Sequence, residues 1–341
     1  MAILGIIGNG LVILVYAKNR KMRSTTNGLL VGLAAADLLT SILLIPIPQL
    51  LTVPMDWRGH LYCKIVYSSV IMWILIVVSI FTLTMVSFER YLAISYPIRY
   101  RMVFSKSRPK YIMLGIWIIA ICINLFSFFI SFNNNGQCMV IWPSPQFQAC
   151  WGTLLFFIEY FIPMIIMIVT HVGTILGLRK QARELISRNE SPNSPAYALL
   201  QARRKVIEML LIVVITFVIC WSPDQFAFLA FNLGFVPVRY LYGTLYQVFV
   251  LLAFFNSCCN PIIYAFKNAK FRTALKKIFT GKFLEWLSAT DNVPDVNTRD
   301  DYQQRVHDNG DVTTTNGAEL ERVQPAVSQS TLVSSTEEQN I

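Results

Sequence analysis

Charged residues are scarce in this sequence. Only 14% of its 341 residues are Asp, Glu, Lys or Arg, whereas 55% are hydrophobic. A soluble domain usually has about a quarter charged residues, so this composition excludes most soluble classes of protein. The apolar residues form several separate runs, each long enough to cross a hydrocarbon core of about 30 Å as an α-helix. The composition therefore predicts a polytopic membrane protein.

Residues that build metal and catalytic sites are also few. The three histidines lie far apart and none of the seven cysteines forms a C-x-x-C pair, so neither a zinc site nor a disulfide scaffold has support. The chain has no G-x-S-x-G motif and no Walker loop, and Gly5-x-x-Gly8-x-Gly10 is interpreted as close helix packing. We therefore expect a protein that is not an enzyme and has no cofactor.

The net charge of +10 is unevenly distributed. Residues 1–284 hold 26 Lys and Arg against 8 Asp and Glu, whereas residues 285–341 hold 3 against 11. The basic part contains the apolar runs, so we interpret it as a membrane-embedded domain and expect no nucleic-acid partner. Residues 285–341 are acidic and polar with few large apolar side chains, which predicts a disordered tail.

Seven apolar runs have the length of a membrane-spanning helix. They cover residues 1–17, 28–51, 65–88, 111–132, 151–178, 206–232 and 240–266. Lys and Arg cluster in the first, third and fifth gaps and after the last run, whereas the other gaps hold few. Basic residues favour the cytoplasmic side, so the N-terminus is predicted to be extracellular and the tail cytoplasmic. The predicted fold class is an all-α membrane protein, a seven-helix transmembrane bundle.

Two features flank the bundle. At about residues 267–280, apolar residues at helical spacing lie beside Lys and Arg, which predicts a short amphipathic helix on the anionic inner leaflet; a stop-transfer charge cluster is the alternative. At the other end the first run starts at Met1 and reaches only the lower length limit for crossing. We expect the natural protein to begin upstream. A signal peptide is the weaker alternative, because a basic n-region is missing.

Polar residues inside the runs are candidate functional groups, because they are costly in hydrocarbon. With their neighbours they give one motif per run, in the order Gly8-Asn9, Leu33-Ala34-Ala35-Ala36-Asp37, Glu89-Arg90-Tyr91, Trp117, Pro163, Cys220-Trp221-Ser222-Pro223 and Asn260-Pro261-Ile262-Ile263-Tyr264. This ordered set over residues 5–284 resembles the rhodopsin-like G-protein-coupled receptors. Cys138 followed by Ile141-Trp142-Pro143 is similar to neuropeptide receptors of the neuropeptide Y, neuropeptide FF and orexin type.

The resemblance implies a plasma-membrane receptor that is activated by a neuropeptide and signals to heterotrimeric G proteins. It also implies that receptor kinases and arrestin act on the tail, where residues 313–315 and 328–336 are rich in Ser and Thr. A receptor for a non-peptide small molecule is the alternative. A transporter is a distant one, because the seven runs show no inverted repeat. An opsin is excluded, since residues 240–266 contain no lysine for a Schiff base.

The resemblance and the helical spacing assign the site residues to four groups. The ligand would contact Met72, Glu159, Asp224, Gln225 and Tyr246. The activation switch would comprise Trp221, Pro223, Asn260, Pro261, Tyr264 and His171. Coupling to the G protein would involve Glu89, Arg90 and Tyr91. A sodium ion or water molecules would bind among Asn9, Asp37, Ser79, Asn256 and Asn260, and a purely structural polar cluster is the alternative.

Two acidic residues near one cavity predict a basic group on the ligand. Glu159 lies one turn from Pro163, and Asp224 directly follows Pro223. A carboxylate pair of this kind suits a cation such as a C-terminal arginine. The alternative for Glu159 is a hydrogen bond to a neighbouring helix.

Cys63 begins the third run on the predicted extracellular side, where an oxidising compartment favours a disulfide. The following loop offers Cys138 and Cys150. The resemblance favours Cys138, because Trp142-Pro143 follows it. The interval from Cys63 to Arg90 is about two residues longer than the family's usual spacing. No Asp, the counter-ion of amine receptors, occurs in residues 66–78, and Met72 is nearest the position where it is expected.

Two further departures concern the cytoplasmic half. His171 stands where the family usually has a Tyr that reaches Arg90 through water on activation. We expect a neutral imidazole that partly replaces the phenol; the alternative is that His171 only packs. Arg203 stands where some members have an acid that latches onto the arginine equivalent to Arg90.

Overall fold

The computed structural model describes residues 1–18, 24–45, 50, 52–104, 108–191 and 193–279. The predicted tail, residues 285–341, lies outside the described residues. In chain order the helices are α1 (Ala2–Lys18), α2 (Thr25–Leu43), α3 (Trp57–Tyr62), α4 (Val70–Ser95), α5 (Pro97–Val103), α6 (Arg108–Asn124), α7 (Ser127–Ile130), α8 (Pro145–Leu155), α9 (Ile162–Ser187), α10 (Pro195–Asn232), α11 (Thr244–Lys267) and α12 (Ala269–Phe279). The strands β1 (Ser131–Asn134) and β2 (Gln137–Val140) form an antiparallel hairpin between α7 and α8.

Within the described residues, six helical stretches are long and apolar enough to cross a membrane. They are Thr25–Leu43, Trp57–Ser95, Arg108–Ile130, Pro145–Ser187, Pro195–Asn232 and Thr244–Lys267. The apolar helix α1, with 17 residues, is the seventh member of the bundle. α4 is central and contacts α2, α6 and α9, while α1 and α10 each pack against α11. The predicted seven-helix fold class is confirmed.

Several helix bounds differ from the apolar runs. α2 ends at Leu43 and not at residue 51, because Pro46 and Pro48 follow and a proline disfavours helix in the residue before it. α6 ends at Asn124, and the last predicted residues of that span belong to α7 and β1. Hydropathy marks only the part of a helix that lies in hydrocarbon, so it also misses the polar first turns of α10.

The seventh span begins later than predicted. Val238–Tyr242 form a 3-10 helix, and Gly243 precedes the start of α11 at Thr244. The residues near 240 are apolar enough to extend the run but do not belong to the α-helix.

The glycine-rich first span packs closely, as predicted, at two of its three glycines. A Cβ on Gly5 would lie 2.1 Å from Ser41 Oγ, and a Cβ on Gly8 would lie 2.9 Å from Pro261 Cβ.

The helix that leads into α4 is interrupted near its start. Cys63–Tyr67 form a π-helical turn, and Ser69 has a left-handed backbone (φ 53°) before α4 begins at Val70. A π-helical turn contains more residues than an α-helical turn. The additional residues between Cys63 and Arg90 are therefore accommodated before Val70. From Val70 to Ser95 the helix is continuous, so positions on α4 can be counted back from Arg90.

The hairpin is anchored to this interrupted helix. Cys63 forms a disulfide with Cys138 of β2, which is the pairing that the resemblance favours, and Cys150 is a free thiol. Lys64 Nζ donates a hydrogen bond to the carbonyl oxygen of Phe128 and lies 5.8 Å from the centroid of the Phe132 ring. We call this side of the bundle the disulfide end, and the opposite side the Arg90 end.

The short amphipathic helix is present as α12. Asn268 interrupts the helix after α11, and its side-chain Oδ1 accepts a hydrogen bond from the Phe271 N–H at 3.1 Å. Phe271 is buried, with its ring centroid 6.4 Å from that of Tyr16 of α1. The apolar face of α12 therefore packs partly on the bundle itself.

Candidate functional site

Asp37 of α2 is fully buried in the middle of the bundle. Its Oδ1 accepts a hydrogen bond from Ser79 Oγ of α4 at 2.8 Å, and its Oδ2 accepts one from Asn260 Nδ2 of α11 at 2.9 Å. The side chain of Ser257 interacts with the same carboxyl group. One carboxylate thus joins three helices, and burial of such a group requires these donors.

Two predicted members of this cluster make no hydrogen bond to Asp37 within the described residues. Asn9 Nδ2 donates to the carbonyl oxygens of Gly5 and Ser257, at 3.0 Å each. The amide oxygens of Asn9 and Asn256 are buried and have no donor in the described part of the chain. Amide oxygens of this kind are ligands for water or for a hard cation. No group of three His, Cys, Asp or Glu among the described residues forms a metal site.

Glu89 and Arg90 form an ion pair at the Arg90 end. Arg90 Nε and Nη2 donate to the two carboxylate oxygens of Glu89, at 2.5 Å each. Glu89 is 0% exposed and also accepts hydrogen bonds from the hydroxyls of Thr26 and Tyr100, at 3.0 Å. Thr26 in turn accepts a hydrogen bond from Arg90 Nη2. A fully buried carboxylate is tolerated here because three side chains donate to it.

Tyr100 extends this network beyond the membrane helices. It lies on α5, which follows α4 after Tyr96. Burial raises the pKa of Tyr100, and the charge of Glu89 and the hydrogen bond to it act in the same direction. The phenol therefore stays protonated and donates to Glu89 at neutral pH.

A cavity of about 450 Å³ opens beside this network. Arg90, Ile94, Arg101 and Arg203 contribute to its wall. Arg203 Nη1 donates to Gln181 Oε1 at 2.9 Å, and Gln181 Nε2 donates to the carbonyl oxygen of Ile94 at 3.0 Å. These two hydrogen bonds link α10, α9 and α4 at the level where some family members have an acid that latches onto the arginine.

Three members of the predicted switch are buried with polar atoms that lack a hydrogen bond. The atoms without a partner are both ring nitrogens of His171, the indole nitrogen of Trp221 and the hydroxyl oxygen of Tyr264. None of them has a hydrogen-bond partner among the described residues. Buried polar groups are normally hydrogen-bonded, so each exception needs an explanation. Pro223 of α10 and Pro261 of α11 remove a backbone donor from the same two helices that carry Trp221 and Tyr264.

At the disulfide end, Asp224 is buried next to Gln225, whose Nε2 lies 3.5 Å from Asp224 Oδ2. Asp224 is close enough to act electrostatically on Tyr240 and Tyr246. The two tyrosine rings are 5.6 Å apart, and the Tyr240 hydroxyl is buried with no hydrogen-bond partner in the described chain. The structure therefore brings together three of the predicted ligand contacts, Asp224, Gln225 and Tyr246, and adds Tyr240. Their contact with a ligand stays a prediction.

The other two ligand candidates lie elsewhere in this region. Met72 is partly buried against the main hydrophobic core. Glu159 lies in the π-helical segment Phe156–Phe161, and no hydrogen bond joins it to Asp224 within the described residues. The prediction counted Glu159 back from Pro163 along an α-helix. The wider π turn changes the direction of side chains counted across it, and the contact of Glu159 with a ligand stays a prediction.

The order of these motifs is matched by a family of known proteins. The family model described as "7 transmembrane receptor (rhodopsin family)" matches residues 8–264 of this chain. The chain belongs to the rhodopsin family of receptors. The predicted function as a G-protein-coupled receptor is confirmed at the level of this family.

Three relatives illustrate the range of receptors to which this one is similar. The allatostatin-A receptor of Bombyx mori is 30% identical over 287 residues, which cover 82% of this chain and 77% of the relative. The histamine H2 receptor of Rattus norvegicus is 31% identical, over 83% and 78% of the two chains. The neuropeptide Y receptor type 6 of Mus musculus is 28% identical, over 80% and 76%. The resemblance to receptors of the neuropeptide Y type is thus confirmed.

Sequence reasoning missed several residues of this receptor's networks. Thr26 and Tyr100 contact Glu89 but belong to no motif, and Tyr240 is only the first residue of the last apolar run. Tyr160 was also missed. Its hydroxyl lies 2.5 Å from Ser222 Oγ, which itself donates to the Val218 carbonyl oxygen. A sequence shows only the spacing of polar side chains along one helix face, whereas the contacts of Thr26, Tyr100, Tyr160 and Tyr240 cross between elements.

Proposed function

We propose that the receptor is activated by a peptide with a basic group, which binds at the disulfide end and makes a charged contact with Asp224. The proposal is supported first by the relatives, because the allatostatin-A and neuropeptide Y receptors are named for peptides. The similarity to a histamine receptor favours the second candidate, an amine ligand.

The register of α4 argues against the amine. Because α4 is continuous from Val70 to Ser95, the position counted back from Arg90 to the amine counter-ion is Met72. A thioether cannot neutralise an ammonium group, and residues 66–78 supply no acid in its place. This single observation carries the choice of a peptide over an amine.

Asp224 is the acid that we assign to a ligand cation. It is buried, its nearest polar neighbour is the neutral Gln225, and no Lys or Arg pairs with it in the described part of the chain. A buried carboxylate without a cation is unfavourable, so a guanidinium or ammonium group from a ligand is favoured there. Tyr240 and Tyr246 would offer hydroxyls and ring faces to the same group.

We further propose that the disulfide end faces the extracellular side and the Arg90 end the cytoplasm. A disulfide forms in an oxidising compartment, and Lys and Arg are abundant in the segments next to the Arg90 end. In this orientation the cavity beside Arg90 opens toward the G protein, and α12 faces the inner leaflet.

α10 connects the two ends. It carries Asp224 and Pro223 near the disulfide end and Arg203 beside the Arg90 cavity. A ligand that displaces Asp224 would move the helix around the bend at Pro223, and the displacement would reach Arg203. The unpaired polar atoms of Trp221, His171 and Tyr264 would gain partners in the new arrangement, while Arg90 would leave Glu89 for the G protein.

The Asp37 cluster would bind a sodium ion in the resting receptor. Asp37 supplies the negative charge, and Asn9 and Asn256 supply amide oxygens without donors.

The tail would be phosphorylated by receptor kinases and would then bind arrestin through its added negative charge. Deleting residues 310–341 should slow internalisation after stimulation, and an unchanged rate would count against this role.

The ligand proposal is tested by screening transfected cells against a peptide library with a calcium or cyclic-nucleotide readout. For an active peptide, Asp224→Asn should lower potency at least about tenfold, since loss of a charged hydrogen bond costs on the order of 1.5–3 kcal/mol. Asp56→Asn is the matched control, because Asp56 is an exposed acid at the same end that caps α3. An analogue of the peptide without its basic group should be equally potent on the parent and on Asp224→Asn.

Two outcomes would contradict the proposal. Equal potency of the active peptide on Asp224→Asn and on the parent, at matched surface expression, would exclude the charged contact. A response to small amines with none to peptides would favour the second candidate.

A further inference from the structure

A second groove lies near the Arg90 end, between α9 and α10. It has a volume of about 380 Å³. Its apolar wall includes Ile175, Leu178, Ala182, Leu200 and Leu211. Arg179 of α9, together with Arg204 and Glu208 of α10, adds charged side chains to the wall. The groove shares only Ile207 with the cavity beside Arg90.

The groove opens away from the centre of the bundle. The inner face of α9 packs on α4, because a Cβ on Gly173 would lie 2.4 Å from the Tyr91 ring and a Cβ on Gly177 would lie 2.8 Å from Ser95 Oγ. At 100° per residue, Ile175 and Ala182 fall on nearly the opposite face of α9. Exposed apolar side chains such as Leu176 and Ile215 lie on the same two helices and mark a surface that faces lipid.

The arginines lie where the membrane hydrocarbon ends. The apolar run of α9 finishes at Leu178, directly before Arg179, and the apolar run of α10 starts directly after Arg203, Arg204 and Lys205. Guanidinium groups at this level meet the phosphate layer of the bilayer, while the wall residues on the membrane side of the arginines, Ile175, Leu178 and Leu211, lie at the depth of the acyl chains.

Both arginines are available to a ligand. Arg179 is exposed and has no hydrogen bond or ion pair within the described chain. Arg204 Nε donates to Glu208 Oε1 at 2.8 Å, but the two side chains are 74% and 53% exposed. An exposed pair of this kind contributes little, so a phosphate with two or more negative charges would compete well for Arg204.

We propose that this groove binds an anionic phospholipid, with an acyl chain along the apolar wall and the phosphate-bearing headgroup between Arg179 and Arg204. The proposal rests on the cytoplasmic orientation proposed above, because the inner leaflet supplies anionic lipids. The bound lipid contacts two neighbouring helices at once. It therefore stabilises the spacing of α9 and α10 seen when Arg90 is paired with Glu89.

The test uses purified full-length receptor in detergent and native mass spectrometry with added lipid. The probes are phosphatidylinositol bisphosphate, phosphatidylcholine and free inositol trisphosphate, which is the headgroup of the first lipid without its acyl chains. The anionic lipid should bind to the receptor, whereas phosphatidylcholine and the free headgroup should bind at least about tenfold more weakly, since each lacks either the charge or the acyl chain. Equal binding of the free headgroup would overturn the proposal, because the apolar wall would then have no role.

Variants locate the site. Arg179→Gln combined with Arg204→Gln should reduce binding of the anionic lipid about tenfold or more. Arg183→Gln combined with Lys205→Gln is the matched control, because it removes the same charge from neighbouring exposed positions outside the groove. Equal losses in the two double variants would indicate a diffuse basic surface and would overturn the proposal.

A third variant changes no charge. Ile175→Phe fills the apolar wall on the membrane side of Arg179 and should weaken binding of the anionic lipid while both arginines remain. Unchanged binding would exclude the acyl-chain position. Thermal unfolding of each variant shows that it is folded before lipid is added. These experiments contain no agonist. If the anionic lipid does not bind, the proposal of a peptide receptor is therefore not affected.

Discussion

Thr26→Val should raise the basal signalling of the receptor. The Thr26 hydroxyl donates to the buried carboxylate of Glu89 and accepts a hydrogen bond from Arg90, so it holds the two charged groups together. Valine has nearly the same shape but cannot make either hydrogen bond. Its effect should therefore be a loss of polar contacts in the resting arrangement and not a packing defect.

The size of the effect follows from the charge and burial of Glu89. A hydrogen bond to a charged group contributes about 1.5–3 kcal/mol, which is about a 10- to 150-fold change in an equilibrium constant. If Arg90 leaves this network on activation, the whole change favours the active state. A receptor that is active about 1% of the time would then become active roughly 10 to 60% of the time.

The assay measures nucleotide exchange on the G protein without agonist, at matched surface density. Thr26→Ser is the control, because serine keeps the hydroxyl. We expect high basal exchange for Thr26→Val and parental exchange for Thr26→Ser. Equal basal exchange in all three receptors would refute the role of Thr26 in retaining Arg90, and lower exchange in Thr26→Val would show that Thr26 supports the active state instead.

Three further predictions concern individual side chains. Tyr100→Phe should raise basal signalling less than Thr26→Val. Because the pKa of Tyr100 is raised, the protonated phenol stabilises the fold below about pH 10, and this stabilisation is lost as the pH rises further. Above that pH, thermal stability should therefore fall more in the parent than in Tyr100→Phe. His171→Tyr should raise maximal or basal signalling and His171→Phe should lower it; if both match the parent at equal surface density, contact with Arg90 is excluded. Asp37→Asn should abolish any difference in agonist affinity between sodium chloride and choline chloride, and a retained difference would argue against a sodium site at Asp37.

Residues in the apolar runs were the most predictable part of the molecule. Asp37, Ser79 and Asn260 are rare polar residues at mid-span, and their cost in hydrocarbon alone indicates that they face one another. The helices themselves follow from the length of the runs. The ends of the helices cannot be predicted from the runs, because a helix can extend beyond the hydrocarbon or begin inside an apolar run.

The contacts that were missed depend on distances between segments. Thr26, Tyr100 and Gln181 are common polar residues near helix ends, and nothing in their spacing distinguishes them from solvent-exposed neighbours. The π-helical segment that carries Glu159 could not be predicted for a different reason. A π-helical turn leaves no clear mark in a single sequence, yet it redirects every side chain that is counted across it.

The interruption at Ser69 also bears on how this receptor tolerates changes in chain length. In an unbroken α-helix, two added residues would rotate one end against the other by about 200° and would point Cys63 away from Cys138. The π turn and the left-handed Ser69 confine that rotation to the short stretch before Val70. Insertions or deletions there can therefore reshape the disulfide end, while Arg90 keeps its place relative to the rest of α4.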